Sequence, residues 1–387
     1  MKLRRLGKTE LQVSEIGFGG EWLERHPEED GIDLIHYASA QGINILDCWM
    51  PDPKSRDIIG KGIKDNRRQW YIQGHIGSTW KDEQYFRTRD MKYVRPAFED
   101  LLRRLQTDYI DLGMIHYVDS EKEWEQMQHS DYLGYVTELK NSGVIRHIGM
   151  SSHNPKVARK AAESGYVEMI LFSINPAFDM LPASENIDTM FAETFDAGLK
   201  GTDPDRAKLY RICEENDVGI TVMKGFAGGR LFDEKRSPFG VRLSPVQCIH
   251  YALTRPAVSA IMCGYDTKEQ VDQAVAYETA SNDETDYASV LSSAPFHSCR
   301  GALWVRKNDR TSYKKENGGR REIFSSLPMV PALHGHLLRL FAPDFLLRQP
   351  LAVIKQQIPR LCIKVAISGL ENCHQILFLF VCVIDAL

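Results

Sequence analysis

Asp47, Asp52, His75 and His116 are the residues most suited to chemistry, because each lies at or just past the end of a short apolar run. Ile45-Leu46 leads into Asp47, Tyr71-Ile72-Gln73-Gly74 into His75, and Ile110 through Ile115 into His116. Asp52 follows in a Pro51-Asp52-Pro53 loop. A carboxylate beside an imidazole is an acid/base pair: the carboxylate orients the ring and favours its protonated form, and the imidazole titrates near neutrality. Such a pair can transfer a proton, with Asp47 orienting His75 and either His75 or His116 acting as general acid. Tyr117 is another donor candidate, but it directly follows His116, so in a strand its side chain faces the opposite way. One carboxylate and two imidazoles are also a feasible Zn²⁺ or Fe²⁺ set. Asp47, His75 and His116 therefore admit a metal-dependent hydrolase as an alternative, although no HExxH motif accompanies them.

Four ionisable groups help one another only if strand ends converge. Short β-branched runs predict strands at 15–18, 45–47, 71–75, 110–116, 147–151, 169–174, 220–223 and 260–263. Amphipathic segments lie between them, with Ile32, Ile35 and Ala38, then Val94, Phe98, Leu101, Leu102 and Leu105, then Tyr132, Tyr135, Val136 and Leu139 at helical spacing. Asn154-Pro155, Asp203-Pro204 and Ser244-Pro245 place a capping residue before proline at helix starts, and Gly42, Gly143 and Gly165 mark helix ends. This alternation predicts an α/β (β/α)₈ TIM barrel, whose chemistry sits at the C-terminal ends of its strands. A doubly wound open sheet would carry a G-x-G-x-x-G turn after its first strand; the chain has Gly17-Phe18-Gly19-Gly20 instead.

Residues 3–6 and 11–13 flank Gly7-Lys8-Thr9-Glu10 and read as a β-hairpin able to plug the barrel floor. Two connections are long, 77–90 and 177–202. The second carries Phe178, Met180, Leu181, Met190, Phe191 and Phe195 and is expected to be a substrate-side lid with a short helix.

The 387 residues allow one large domain and an extension. A net charge of −4 gives no reason to expect a nucleic-acid or membrane-surface protein. No signal peptide is read at the start, and the longest apolar run, 376–384, is far short of the roughly 20 residues that span a bilayer. Eight scattered cysteines without a CxxC pair fit a reducing, cytoplasmic setting, with Cys48, Cys213, Cys248 and Cys263 as core thiols. The alternation ends after about residue 287. Residues 301–387 carry 12 Lys and Arg against 6 Asp and Glu, although the whole chain is acidic. We therefore divide the chain into a barrel, 1–285, and an irregular C-terminal extension, 286–387, with disorder expected at 301–321.

Several segments taken in order, LGKTELQVSEIGFGG, GINILDCWMPDPKSRDIIGKGI, RLQTDYIDLGMIH, LKNSGVIRHIGMSSHNP and VMKGFAGGRL, resemble the aldo/keto reductase family. The resemblance covers roughly residues 1–280 and is nearest the bacterial branch that often carries a C-terminal iron–sulfur segment. It implies NAD(P)H-linked carbonyl/alcohol oxidoreduction on a small-molecule carbonyl substrate. The family's catalytic Asp falls on Asp47 and its His on His116, whereas its Tyr falls on Asp52 and its Lys on His75. The resemblance thus implies a retained scaffold with altered acid/base chemistry, or a non-catalytic nucleotide- or partner-binding barrel.

For the cofactor, the resemblance places Ser151 and Ser152 at the nicotinamide amide with Asn175 nearby, and the family's Gln falls on Leu171. The run Lys224-Gly225-Phe226-Ala227-Gly228-Gly229-Arg230 suits a pyrophosphate, since glycines let backbone N–H groups approach it. Barrel phosphate sites cluster after the seventh and eighth strands. After the eighth, the run from Gly264 to Gln270 keeps Lys268 alone as a basic residue, which leaves the cofactor as NADP or NAD. Trp49 and Trp80 are expected to wall the pocket, while Met114 and Met150 are expected in the core. Cys299 stands without the tight cysteine run that a cluster needs, so no iron–sulfur cluster is expected.

Overall fold

The eight predicted runs are eight parallel strands, and they close on themselves. In the computed structural model, which describes residues 1–192, 199 and 201–292, the barrel strands are Ile16–Gly19, Ile45–Cys48, Tyr71–Ile76, Ile110–Ile115, Ile145–Ser152, Met169–Ser173, Gly219–Met223 and Val258–Gly264. Each pairs in parallel with its sequence neighbour in the barrel, and the eighth pairs with the first. The result is the expected (β/α)₈ barrel.

Strand alternation divides the side chains into two cores. Leu46, Ile72, Ile110, Ile148, Ile170 and Ile220 point outward and pack under the helices. Ile45, Leu112, Met114, Met169, Leu171, Ala260 and Met262 point inward and fill the barrel together with Leu6 and Val13. Met114 and Met150 are both fully buried, Met114 inside the barrel and Met150 under the helices.

The N-terminal hairpin, Leu3–Arg5 with Gln12–Ser14, closes the floor. Its Lys8 N–H donates to the Asp217 carbonyl at 2.7 Å, just before the seventh strand. Gly7 sits at φ 50°, and a Cβ there would lie 2.2 Å from the Gly219 nitrogen, so only glycine allows this approach.

Helix punctuation matches the sequence. Asn154, Asp203 and Ser244 cap helices Pro155–Glu163, Pro204–Glu215 and Pro245–Leu253 through side-chain acceptors. Gly42, Gly143 and Gly165 have positive φ at helix ends.

The described residues of the two long connections form regular turns. Residues 77–90 hold an antiparallel hairpin, Ser78–Lys81 with Gln84–Arg87. Asp82 and Glu83 both take positive φ at its two-residue turn. Such turns usually announce themselves as Asn-Gly or Asp-Gly; Asp-Glu carries no such signal. The second connection contains two 3₁₀ turns, Phe178–Met180 and Ile187–Phe191, packed with Tyr117, Leu231 and Phe239. A fully buried Asp179–Arg206 ion pair of 3.4 Å anchors it, with the hydroxyls of Tyr210 and Tyr251 also donating to Asp179.

Packing continues past residue 285, where the sequence division was drawn. Tyr287, which opens helix Tyr287–Ser292, lies 5.1 Å from the Tyr251 ring and accepts a hydrogen bond from Arg255. The expectations for Phe195, for Cys299 and for the disordered and irregular tail lie outside the described residues. Among the described residues no helix is long and apolar enough to cross a membrane, and Cys48, Cys213, Cys248 and Cys263 are free and buried.

Candidate active site at the barrel mouth

The second, third and fourth strands deliver Asp47, His75 and His116 to one place. Register sets this up, with Asp47 opposite Gln73 and His75 opposite Met114, so the inward positions of neighbouring strands are level. Asp47, Gln73, His75 and His116 are each at most 5% exposed. The Gln73 amide donates to Asp47 Oδ1 at 2.8 Å, and its carbonyl accepts from Thr221 Oγ1 at 2.7 Å across the barrel. This polar layer rests on the apolar barrel filling and holds the carboxylate still.

The side chains above it form a line. His75 Nε2 lies 2.9 Å from Asp47 Oδ1, and His75 Nδ1 lies 2.7 Å from His116 Nδ1. His116 Nε2 then lies 2.6 Å from the Tyr85 hydroxyl. With Asp47 ionised and both rings neutral, one proton arrangement satisfies every contact. Asp47 can only accept, so His75 carries its proton on Nε2; His116 then donates from Nδ1, and Tyr85 donates to His116 Nε2. Burial, followed by the neighbouring His75 and the charges on Arg89 and Arg87, holds His116 well below the ordinary imidazole range, which keeps it neutral.

Tyr85 enters from the hairpin that follows the third strand. Trp49 lies parallel to the His116 ring at 6.0 Å and meets Tyr85 edge-on at 5.4 Å, so it holds both rings in place. Arg87 donates to the Tyr117 carbonyl at 2.8 Å, and Arg89 donates to the His116 and Tyr117 carbonyls. Both arginines pair with Glu123. They brace a backbone turned to φ 50° at Tyr117. The strand has ended there, so alternation no longer applies. Tyr117 swings in, its ring 6.2 Å from His116 and 5.1 Å from His153, where the sequence placed it on the opposite face. Trp80 lies in the hairpin strand Ser78–Lys81, and its exposure is intermediate.

Asp52 is the main correction. Its carboxylate accepts from the Ser55 N–H at 2.9 Å and caps helix Pro53–Ile63, so it belongs to that helix end and not to the line. The metal alternative also loses its geometry. Asp47, His75 and His116 lie in series, with both nitrogens of each imidazole already engaged, whereas ligands must converge on one point. Tyr85 was absent from the sequence reading. A tyrosine in a long insertion after the strand that ends in His75 was the available signal.

The expected cofactor residues divide into two groups. Ser151 Oγ accepts from the Tyr117 N–H at 2.8 Å at the end of the fifth strand, and Ser152 donates to Asp119 at 3.0 Å. Lys224 takes a left-handed conformation at φ 57°, as do Gly228 and Gly229 at φ 64° and 80°. Gly225 packs against Ile261, while the space where Gly229 and Gly264 would carry a Cβ is open, so backbone there is approachable. The rest are engaged elsewhere. Asn175 donates to the Lys224 carbonyl and accepts from the Ala177 and Phe178 amides. Arg230 donates to the Ala192 carbonyl at 3.4 Å, and Gln270 accepts from the Asp266 N–H at 2.6 Å. Lys268 pairs with Asp33 at 2.5 Å on helix Glu28–Ala40.

Beside the line lies a cleft of about 510 Å³ whose lining includes Tyr85, Arg87, Tyr117, Asp119 and Glu123. A buried acid/base line beside a cleft at the C-terminal end of a (β/α)₈ barrel is an enzyme's arrangement.

The comparisons with known proteins agree. The uncharacterized oxidoreductase YqkF of Bacillus subtilis is 28% identical over 284 residues, covering 70% of this chain and 89% of its own. The aldo-keto reductase YhdN of the same organism is 31% identical over 161 residues, 39% of this chain and 47% of its own. In structure, the holo form of the aldo-keto reductase AKR11C1 from Bacillus halodurans superimposes with a TM-score of 0.58 at 21% identity, over 80% of this chain and 99% of that one, which shows a shared fold. The profile described as the aldo/keto reductase family matches residues 15–247, more than half of the chain. With the barrel and that match in agreement, the chain belongs to the aldo/keto reductase family and is an oxidoreductase of that family.

Proposed function

We propose that this protein interconverts a small carbonyl compound and its alcohol with a nicotinamide cofactor, and that Tyr85, His116 and His75 move the proton. The observation that carries the reading is the unbroken hydrogen-bonded line from Asp47 to Tyr85, with contacts of 2.9, 2.7 and 2.6 Å. The cofactor, when bound, supplies or accepts a hydride at the carbonyl carbon. Ser151, Ser152 and the backbone at Gly225, Gly228, Gly229 and Gly264 are the residues that would hold it. Lys268, committed to Asp33, offers no reason to prefer a 2′-phosphate, so the reading extends to NADP and NAD alike.

In reduction, the line begins with one extra proton, His75 carrying N–H on both nitrogens against the Asp47 carboxylate. Tyr85 gives its hydroxyl proton to the substrate oxygen. Its own oxygen is refilled from His116 Nε2–H, and His116 Nδ1 takes the proton from His75 Nδ1. One proton leaves the line, the substrate oxygen gains it, and His75 ends neutral. Oxidation of an alcohol runs the same transfers in reverse and begins from the neutral line.

Two consequences support a test. Reduction needs the loaded line and falls as pH rises; oxidation needs the neutral line and rises with pH. Steady-state turnover of NADPH and NADH across a panel of aldehydes, ketones and alcohols, followed against pH in both directions, measures this. Cofactor binding without turnover on any member, or turnover that survives both Tyr85→Phe and His116→Gln, would sink the reading and favour a binding role.

A further inference from the structure

The hairpin that delivers Tyr85 is a two-stranded sheet separate from the barrel. A hairpin by itself is marginally stable at best in water. This one turns at Asp82-Glu83, where both residues take the left-handed conformation that side chains rarely adopt. Contacts from outside must therefore fix the strand Gln84–Arg87. Its side chains alternate, with Tyr85 and Arg87 half-buried on one face and Gln84 and Phe86 exposed on the other. Phe86 meets Tyr93 edge-on at 5.8 Å. A slip of one residue would turn Tyr85 outward and Phe86 toward the line.

Arg87 fixes which face is which. Its Nη2 donates to both carboxylate oxygens of Glu123, at 2.5 Å to Oε1. Its Nε donates to the Tyr117 carbonyl, and its guanidinium lies 4.9 Å from the Tyr117 ring centre. Arg89 donates to the His116 and Tyr117 carbonyls, and its Nε lies 3.1 Å from Glu123 Oε1. Two guanidiniums thus crowd one short stretch of backbone and repel each other. Burial holds Arg89 below its ordinary value, Arg87 acts in the same direction, and Glu123 opposes them. Glu123 is the carboxylate that the two arginines share.

Glu123 is diverted to this from a helix. It stands three residues after Ser120, at the start of helix Glu121–Met127, in the S-x-x-E spacing of a capping box. Ser120 Oγ accepts from the Glu123 N–H, which is half of that box. The returning half, from the third residue's side chain to the cap's backbone N–H, is made at Ser244 with Gln247 and at Ser281 with Glu284. At Ser120 the carboxylate turns to Arg87 and Arg89 instead.

Resting on the oxidoreductase reading above, we propose that Glu123 is a positioning residue. By holding Arg87 and Arg89 together it fixes the facing of the hairpin strand, and so keeps the Tyr85 hydroxyl against His116. It passes no proton itself.

The test is a double-mutant cycle in kcat on the full-length protein, built from Glu123→Gln and Tyr85→Phe, with a carbonyl substrate that the wild type turns over. Glu123→Gln keeps the side chain's shape and the backbone bond to Ser120, and removes the charge. It is expected to lower kcat about 10–100-fold, with the KM for the cofactor within about twofold, and Tyr85→Phe should then cost only about threefold more. Glu123→Asp keeps the charge on a shorter arm and should recover part of kcat. Hydrogen exchange read by mass spectrometry checks the fold: amides at 78–90 should exchange about tenfold faster in Glu123→Gln, and those of the barrel strands at the wild-type rate. An unchanged kcat in Glu123→Gln overturns the inference and leaves the oxidoreductase reading standing. So does a Tyr85→Phe loss as large in that background as in the wild type, or faster exchange throughout the barrel. If Tyr85→Phe alone costs nothing, or the wild type turns over no carbonyl, the reading of Tyr85 and the inference fall together.

Discussion

Two neighbouring segments of the barrel mouth deal differently with the same role. The loop at 49–52, after the second strand, carries Asp52 where the family resemblance leads one to seek a tyrosine, and uses it to cap a helix. The hairpin at 78–87, after the third strand, brings Tyr85 to within 2.6 Å of His116. The first segment has the expected address without a hydroxyl, and the second has a hydroxyl beside His116 without the expected address. A hydroxyl donor is defined by where its oxygen lies relative to its proton source. A two-stranded hairpin can bring it there as well as a helix N-terminus can.

The sharpest way to break this comparison is to exchange the two residues' fates. Tyr85→Phe keeps the ring packing on Trp49 and removes the proton, and is expected to lower kcat by about 10²–10⁴-fold. Asp52→Asn keeps a good cap and should leave kcat within about twofold; a large loss would return Asp52 to the catalytic set. The next effect comes one link deeper. His116→Gln interrupts the line, should lower kcat by roughly 10²-fold, and should flatten the opposed pH dependences of reduction and oxidation. If the opposed slopes persist, the proton travels by another route.

Smaller effects separate support from chemistry. Asp52→Ala should cost about 1 kcal/mol in urea unfolding, with kcat unchanged in the surviving fold. The weakest effect is the acid dependence of stability. His116 is held neutral in the fold, so the unfolded chain binds its proton first. Its contribution is complete above the ordinary imidazole value of about 6.5 and declines as pH falls below it. Unfolding midpoints between pH 7 and pH 5 should therefore fall for the wild type and fall less for His116→Phe.

The eight barrel strands, most helix caps and the N-terminal plug were legible in the sequence. Each is a local property: β-branched runs of strand length, a cap residue before proline, glycine after a helix. Asp47, His75 and His116 were legible for the same reason, since a polar residue ending an apolar run marks a strand tip. The line that joins them was not, because it depends on register between strands. Asp47 meets His75 through side chains on adjacent strands, 28 residues apart in sequence. Tyr85 was hidden because its hairpin turns at Asp82-Glu83, which has no turn signature, and because its partner lies 31 residues away. Likewise, sequence could name Asn175, Arg230, Lys268 and Gln270 as polar residues near strand ends, but the groups that engage them come from other segments or from backbone.

The sequence by itself therefore determined the scaffold and three of the four members of the acid/base line, since periodicity and capping act within a few residues. Tertiary structure alone decided which carboxylate joins that line and which hydroxyl ends it. Those outcomes depend on distances of about 3 Å between side chains carried by different elements. Only closure of the barrel brings such elements together.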